Sequence, residues 1–154
     1  MYYRVVSVAP VVDTAIYAAG DQLGGLLTIT DGVSSPGGSA ILKSVTVVDK
    51  DKEKAVIDVL FFSANPTLVS VDNAALDISD ANMATYCLGK VSIAAADYTD
   101  LNASSVATVR VDDLVLTAAA GSTSIYAVMK VLSGTPTFTA TGDLQVKFGL
   151  EEHR

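Results

Sequence analysis

The sequence predicts an all-β protein: an antiparallel two-sheet β-sandwich, jelly-roll-like, with one short helix near residues 80–88. Runs of β-branched and aromatic residues recur about every ten residues between Gly, Pro, Asp and Ser, the spacing of strands in sandwiches and barrels. Helical periodicity is confined to one segment. Short, half-amphipathic strands favour antiparallel sheets over buried parallel ones. An immunoglobulin-like sandwich is less favoured, because the chain has no Trp and one Cys.

The first predicted strand after the amino-terminal segment covers residues 26–30 and follows the pair Gly24 and Gly25. The next nine residues, DGVSSPGGS at 31–39, combine four turn-forming residue types. They predict an exposed, mobile loop.

The following pair of strands is predicted at residues 40–49 and 55–63. In the first of these, AILKSVTVVD, alternation places Val45 on one face and Leu42 on the other. The linking run at 50–54 alternates Asp or Glu with Lys. We therefore expect a hairpin with a solvated, charged tip.

The predicted helix lies in SDANMATYCLG. Ser79 can cap its amino end, Asp80 favours the positive end of the helix dipole, and Gly89 can adopt the left-handed conformation that ends a helix. Strand patterns then resume, and the last is the clearest because four apolar residues alternate with polar ones. These later strands are predicted at residues 90–94, 105–111, 114–118, 125–132, 137–141 and 144–150.

The chain is predicted to form a single domain. Its 154 residues match the size of one hydrophobic core, and no linker or internal repeat divides them. We expect a β-sandwich domain over residues 13–154. The preceding residues 1–12 are apolar, aromatic and broken by Pro10, which predicts an amino-terminal arm or an edge strand.

Composition narrows the range of partners. The net charge of -7 disfavours binding to a nucleic-acid backbone, which requires clustered Lys and Arg. No apolar run approaches the roughly 18 residues of a membrane-spanning helix, so we expect no membrane association. Half of the residues are hydrophobic, and alanine-rich loops occur at 94–97 and 117–121. This combination indicates a protein that packs against other proteins.

The residues that could support catalysis are few. His153 is the only histidine, and it lies next to the carboxyl end, where chains usually fray. Cys87 is the only cysteine, and its neighbours predict a small buried hydrophobic residue. Acid-base and nucleophilic catalysis need positioned partners. We therefore expect no enzymatic activity and no catalytic residues.

Metal and cofactor sites are likewise not predicted. Zinc requires several Cys or His ligands. Oxygen ligands for calcium are available in Asp72, Asn73, Asp77 and Asp80, but their spacing does not match a calcium-binding loop. Loop and helix-cap roles are the favoured interpretation for them, and a weak calcium site is the alternative.

Four segments resemble small virion proteins of tailed bacteriophages, of the capsid-decoration or cement type. They span most of the chain from about residue 13 onward and contain no active-site motif. The segments are YAAGDQLGGLLT at 17–28, LFFSANPT at 60–67, SDANMATYCLGKVSIAAAD at 79–97 and TSIYAVMKVLSGTPTFTATGDLQVKFGL at 123–150.

The resemblance implies a non-enzymatic protein that is made in the host cytoplasm and resides on the capsid surface of the virion. Its implied partners are the major capsid protein and copies of itself, in a homo-oligomer. Two alternatives remain open at this point. One is a component of the virion neck or tail, and the other is a carbohydrate-binding or adhesive β-sandwich that uses exposed Tyr and Asp residues.

Overall fold

A computed structural model describes residues 1–153, so residue 154 of the predicted domain lies outside the described residues. These residues form nine β-strands and one α-helix, together with a short 3-10 turn at Ala95–Asp97. The strands are β1 Tyr2–Val8, β2 Gln22–Ile29, β3 Ser39–Asp49, β4 Val56–Phe62, β5 Cys87–Ile93, β6 Tyr98–Asp100, β7 Ser105–Thr117, β8 Ile125–Ser133 and β9 Leu144–Glu152, and the helix is α1 Asp80–Tyr86.

The strands form two antiparallel sheets. One has five strands in the order β1-β9-β3-β7-β6, and the other has four in the order β2-β8-β4-β5. If the three-residue edge strand β6 is set aside, eight strands remain, four in each sheet, and the first strand pairs with the last. This is the strand arrangement of a jelly roll. The prediction of an all-β sandwich is confirmed.

The main core lies between the two sheets. Phe61 of β4 and Phe148 of β9 are fully buried, and their rings meet edge to face with centroids 5.7 Å apart. The alternating apolar residues predicted in β9 all face this core, since Leu144, Val146 and Leu150 are buried with Phe148. Period-two alternation therefore located the core face of this strand correctly.

The predicted hairpin between residues 40–49 and 55–63 is wrong. Strand β3 belongs to the five-stranded sheet and β4 to the four-stranded sheet, so the charged run carries the chain from one sheet to the other. Asp49 organises this corner, because its buried carboxylate accepts hydrogen bonds from the backbone N–H groups of Asp51 and Lys54, both at 2.8 Å. Local charge cannot distinguish such a corner from a hairpin tip.

The predicted faces of β3 are also partly wrong. The register against β7 and β9 shifts between Leu42 and Ser44, and relative to β9 Lys43 is an extra residue. This bulge turns Leu42 to the same core face as Val45, and both are fully buried. The bulge depends on pairing with two other strands, which simple alternation does not include.

Three further expectations need correction. The strands predicted at 105–111 and 114–118 are one strand, β7, which ends at Thr117 and continues through a bulge at Asp113 with a φ of 53°. Residues 137–141 form a loop instead of a strand. The loop at 31–39, which we expected to be exposed, buries Val33 in the core.

The predicted start of the helix is confirmed, whereas its end is not. Ser79 Oγ accepts a hydrogen bond from the backbone N–H of Asn82 at 3.2 Å, as a helix cap does. The helix ends at Tyr86 because β5 begins at Cys87, and Gly89 lies inside that strand with a φ of 144°. No helix in residues 1–153 has the length and apolar character needed to cross a membrane.

The two sheets are covered differently on their outer faces. The four-stranded sheet also buries Phe62 and Val128, which lie outside the main core. The five-stranded sheet keeps apolar side chains such as Val115 exposed on its outer face. Residues 2–8, within the segment predicted as an arm or edge strand, form β1 at one edge of this sheet.

Candidate interaction surface

The two residues considered for catalysis lie on different parts of the fold. His153 directly follows β9, its side chain is 63% exposed, and its Nε2 atom lies 3.1 Å from Oε1 of Glu151. Cys87 is the first residue of β5 and is half-buried, where the sequence predicted full burial.

Two of the four residues considered for calcium, Asp72 and Asn73, form hydrogen bonds between loops. Asp72 Oδ1 accepts hydrogen bonds from Tyr17 Oη and from the backbone N–H of Gly24, both at 2.7 Å. Asn73 Nδ2 donates to Asp13 Oδ2 at 3.1 Å. No group of three or more His, Cys, Asp or Glu side chains is placed to hold a metal ion in the part of the chain that the structure describes.

The run at 50–54 was predicted to be a solvated tip, but its carboxylates hold a neighbouring loop. Glu53 Oε2 accepts from the backbone N–H of Thr137 at 2.9 Å, and Asp51 Oδ2 accepts from that of Thr139 at 2.8 Å. Between these two anchored residues, Phe138 inserts into the core. The acidic residues of this run therefore fix the segment that had been predicted as a strand.

A buried tyrosine joins two long loops at one region of the sandwich. The ring of Tyr17 is fully buried and meets Phe138 edge to face, at a centroid distance of 6.1 Å. Its Oη atom accepts a hydrogen bond from the backbone N–H of Asp13 at 2.6 Å while it donates to Asp72. The loop before β2 is thereby bound to the loop that precedes α1.

The protonation states at this junction follow from the same contacts. Burial raises the pKa of the Tyr17 hydroxyl, so it remains a hydrogen-bond donor at neutral pH. The backbone N–H of Ala15, followed by the side-chain amide of Asn73, lowers the pKa of Asp13. A neutral tyrosine and an ionised Asp13 are the states in which these donors and acceptors match.

The joined loops expose aliphatic side chains, which we call the loop patch: Val11, Ile16, Val69 and Val71. Their exposed fractions lie between 62% and 69%. The loops that carry these side chains are held together by the hydrogen bonds of Tyr17, Asp13 and Asp72. Exposed aliphatic side chains on loops that are held together in this way can contribute to a surface that binds another protein.

A second surface lies along β1 and exposes the large side chains of Tyr3 and Val5; with Lys43, Gly149 and Leu150 beside them, we call it the edge surface. Tyr3 is 63% exposed and Val5 is 66% exposed. These five residues, with Arg4, line a groove of about 400 Å³. Gly149 pairs with Val5 and lies in the floor of this groove.

Sequence reasoning identified part of these surfaces. The apolar, nearly uncharged segment 1–12 signalled an interacting element, and it contributes both β1 and Val11. The contribution of Val69 and Val71 had no comparable signal, because their position depends on hydrogen bonds between residues 48 to 60 positions apart.

No family model matches the chain, and no curated protein matches it either. Among solved structures, the chain is similar to one from a marine algae virus of the order Picornavirales. The identity is 12%, the TM-score is 0.28, and the match covers 97% of this chain and 67% of that chain.

Proposed function

We propose that this chain is a non-enzymatic virion structural protein that decorates or cements the capsid of a tailed bacteriophage by binding the major capsid protein. It would be made in the host cytoplasm and reside on the capsid surface. The resemblance of four segments to decoration proteins suggests the biological setting. The observation that carries the proposal is the loop patch, an exposed apolar surface on a rigid scaffold.

The loop patch suits contact with a preformed surface. Its loops are joined by hydrogen bonds from Tyr17 and Gly24 to Asp72, so little conformational entropy remains to be lost on binding. Four aliphatic side chains provide a small contact area, which gives modest affinity for a single copy. Many copies on a symmetric capsid would gain stability collectively when neighbours are linked.

The first test is the composition of purified virions from the phage that encodes this chain. Quantitative mass spectrometry should find the protein at a copy number comparable with that of the major capsid protein. A few copies per particle would support the neck or tail alternative, and absence from the virion would refute the proposal.

The second test locates the binding surface. Capsids assembled without this protein are incubated with purified wild-type protein, with Ile16→Lys or with Val71→Lys, and the bound fraction is measured after sedimentation. We expect each substitution to weaken capsid binding about tenfold, since a charge would be buried against the capsid.

The matched control for this test is Leu101→Lys. Leu101 is 59% exposed and follows β6, outside the loop patch. This variant should bind capsids like the wild type. Equal binding by all four proteins would show that the loop patch is not the contact surface.

A further inference from the structure

We infer that β1 is a homotypic interface: its outer edge, at residues 3–8, pairs antiparallel, about a two-fold axis, with the same edge of a second copy. The two five-stranded sheets would then form one continuous sheet of ten strands. This inference concerns the isolated protein and goes beyond capsid binding, since it assigns a different surface and a different partner.

The backbone of β1 provides the first reason. Its seven residues pair with β9 on one side, and no other strand of residues 1–153 lies on the opposite side. Alternate residues of such an edge strand direct their N–H and C=O groups away from the sheet. A second extended strand satisfies those groups in the way that a neighbour within a sheet does.

The other three sheet edges are poorly suited to such pairing. Strand β2 contains an irregularity between Leu23 and Leu27, β5 exposes Lys90, and β6 has only three residues and ends in Asp100. Irregular, charged and very short edges are the usual features that prevent edge-to-edge association. Among the four edges, β1 is the one that combines length, regular pairing and apolar residues.

Charge supports a second copy as the partner. The chain carries a net charge of -7, so two copies repel each other unless they meet where acidic side chains are absent. Residues 1–12 contain no acidic residue and one basic residue, Arg4. The Arg4 guanidinium lies 3.6 Å from Glu152 of the same chain, and its side chain is 19% exposed. When β1 pairs with β1 about a two-fold axis, Arg4 faces the Arg4 of the second copy only if the axis passes through that residue. In the other registers within β1, Arg4 faces an uncharged residue, so the two basic side chains do not meet.

Shape and area agree with a weak self-association. Each copy presents the exposed side chains of Tyr3 and Val5 beside the groove next to Gly149, so the same element supplies a projection and a recess. A two-fold contact requires this self-complementarity. With one strand edge and these side chains, the contact reaches roughly half of the 800 Å² per partner of a standard interface. We therefore expect a dissociation constant in the micromolar range.

The decisive experiment is sedimentation equilibrium of the purified full chain across micromolar concentrations, for wild type and Val5→Lys. The wild type should pass from monomer to dimer. Val5→Lys should raise the dimer dissociation constant about tenfold or more, because each copy would then bury a lysine charge in an apolar contact. Since Val5 is 66% exposed, the variant should fold normally, which thermal unfolding will verify.

Leu101→Lys is the control for added charge, and it should dimerise like the wild type. Hydrogen exchange provides a second measurement: amides of β1 should exchange more slowly at high protein concentration than at low concentration. A wild type that stays monomeric, a Val5→Lys variant that dimerises normally, or an equal loss in both lysine variants would each overturn the inference. A monomer that binds capsids would overturn this inference alone, whereas a dimer that does not bind them would contradict only the proposed function.

Discussion

Replacing Tyr17 with Phe should loosen the junction between the two loops without disturbing the core. The ring remains buried against Phe138, so only the hydroxyl group is lost. That hydroxyl donates to the carboxylate of Asp72 and accepts from the backbone N–H of Asp13. Asp72 keeps its bond from Gly24, whereas the N–H of Asp13 loses the acceptor that it has in the wild type.

The expected cost follows from these two bonds. A hydrogen bond to a charged acceptor contributes about 1.5–3 kcal/mol, and the loss of the acceptor at a part-buried N–H adds to it. We expect the free energy of unfolding to fall by about 2–3 kcal/mol, which for a chain of this length lowers Tm by roughly 5–10 °C. The matched control is Tyr98→Phe, which loses one bond of 2.9 Å to the carbonyl oxygen of Ala55. Its cost should be about 1 kcal/mol.

Urea unfolding of both variants, with unchanged slope m, measures these free energies. Hydrogen exchange should show faster exchange at the amides of Asp13 and Gly24 in Tyr17→Phe, with β9 unaffected. If Tyr17→Phe lowers the free energy of unfolding no more than Tyr98→Phe, or if exchange increases uniformly, the Tyr17 hydroxyl does not join the two loops.

Two further predictions concern the core and the corner between the sheets. Phe148→Ala should lower the free energy of unfolding, measured in urea, by about 3–5 kcal/mol, because it leaves a cavity beside Phe61. The control Val5→Ala, at an exposed site, should change this free energy by less than about 0.5 kcal/mol. Burial raises the pKa of Asp49 above its ordinary value of 3.8, so the folded state binds a proton at this carboxyl more tightly than the unfolded state does. The contribution of Asp49 to the free energy of unfolding therefore increases as the pH falls from neutral toward 4. The stability of the wild type relative to Asp49→Asn, from urea unfolding at several pH values, should therefore be greater at pH 4 than at pH 7, and the opposite slope would contradict the argument.

The sequence by itself determined the class of fold and several of its elements. Alternation of apolar and polar residues identified β9 and its core face, because every second side chain of a strand points to the same side of the sheet. The start of α1 was likewise local, since Ser79 caps an N–H group three residues away. The apolar segment that contains β1 was noticed for its composition. Each of these features depends on residues that are close in the chain.

Only the tertiary structure decided which strands share a sheet and which loops meet. The charged run after β3 looks like a hairpin tip, yet Asp49 closes a corner between sheets and β3 pairs with β7 and β9 instead. Bulges and the loop patch have the same origin, since they arise from contacts between distant residues such as Tyr17 and Asp72. Pairing and burial are properties of the whole chain, because the free energy of each long-range contact depends on all the others that form with it.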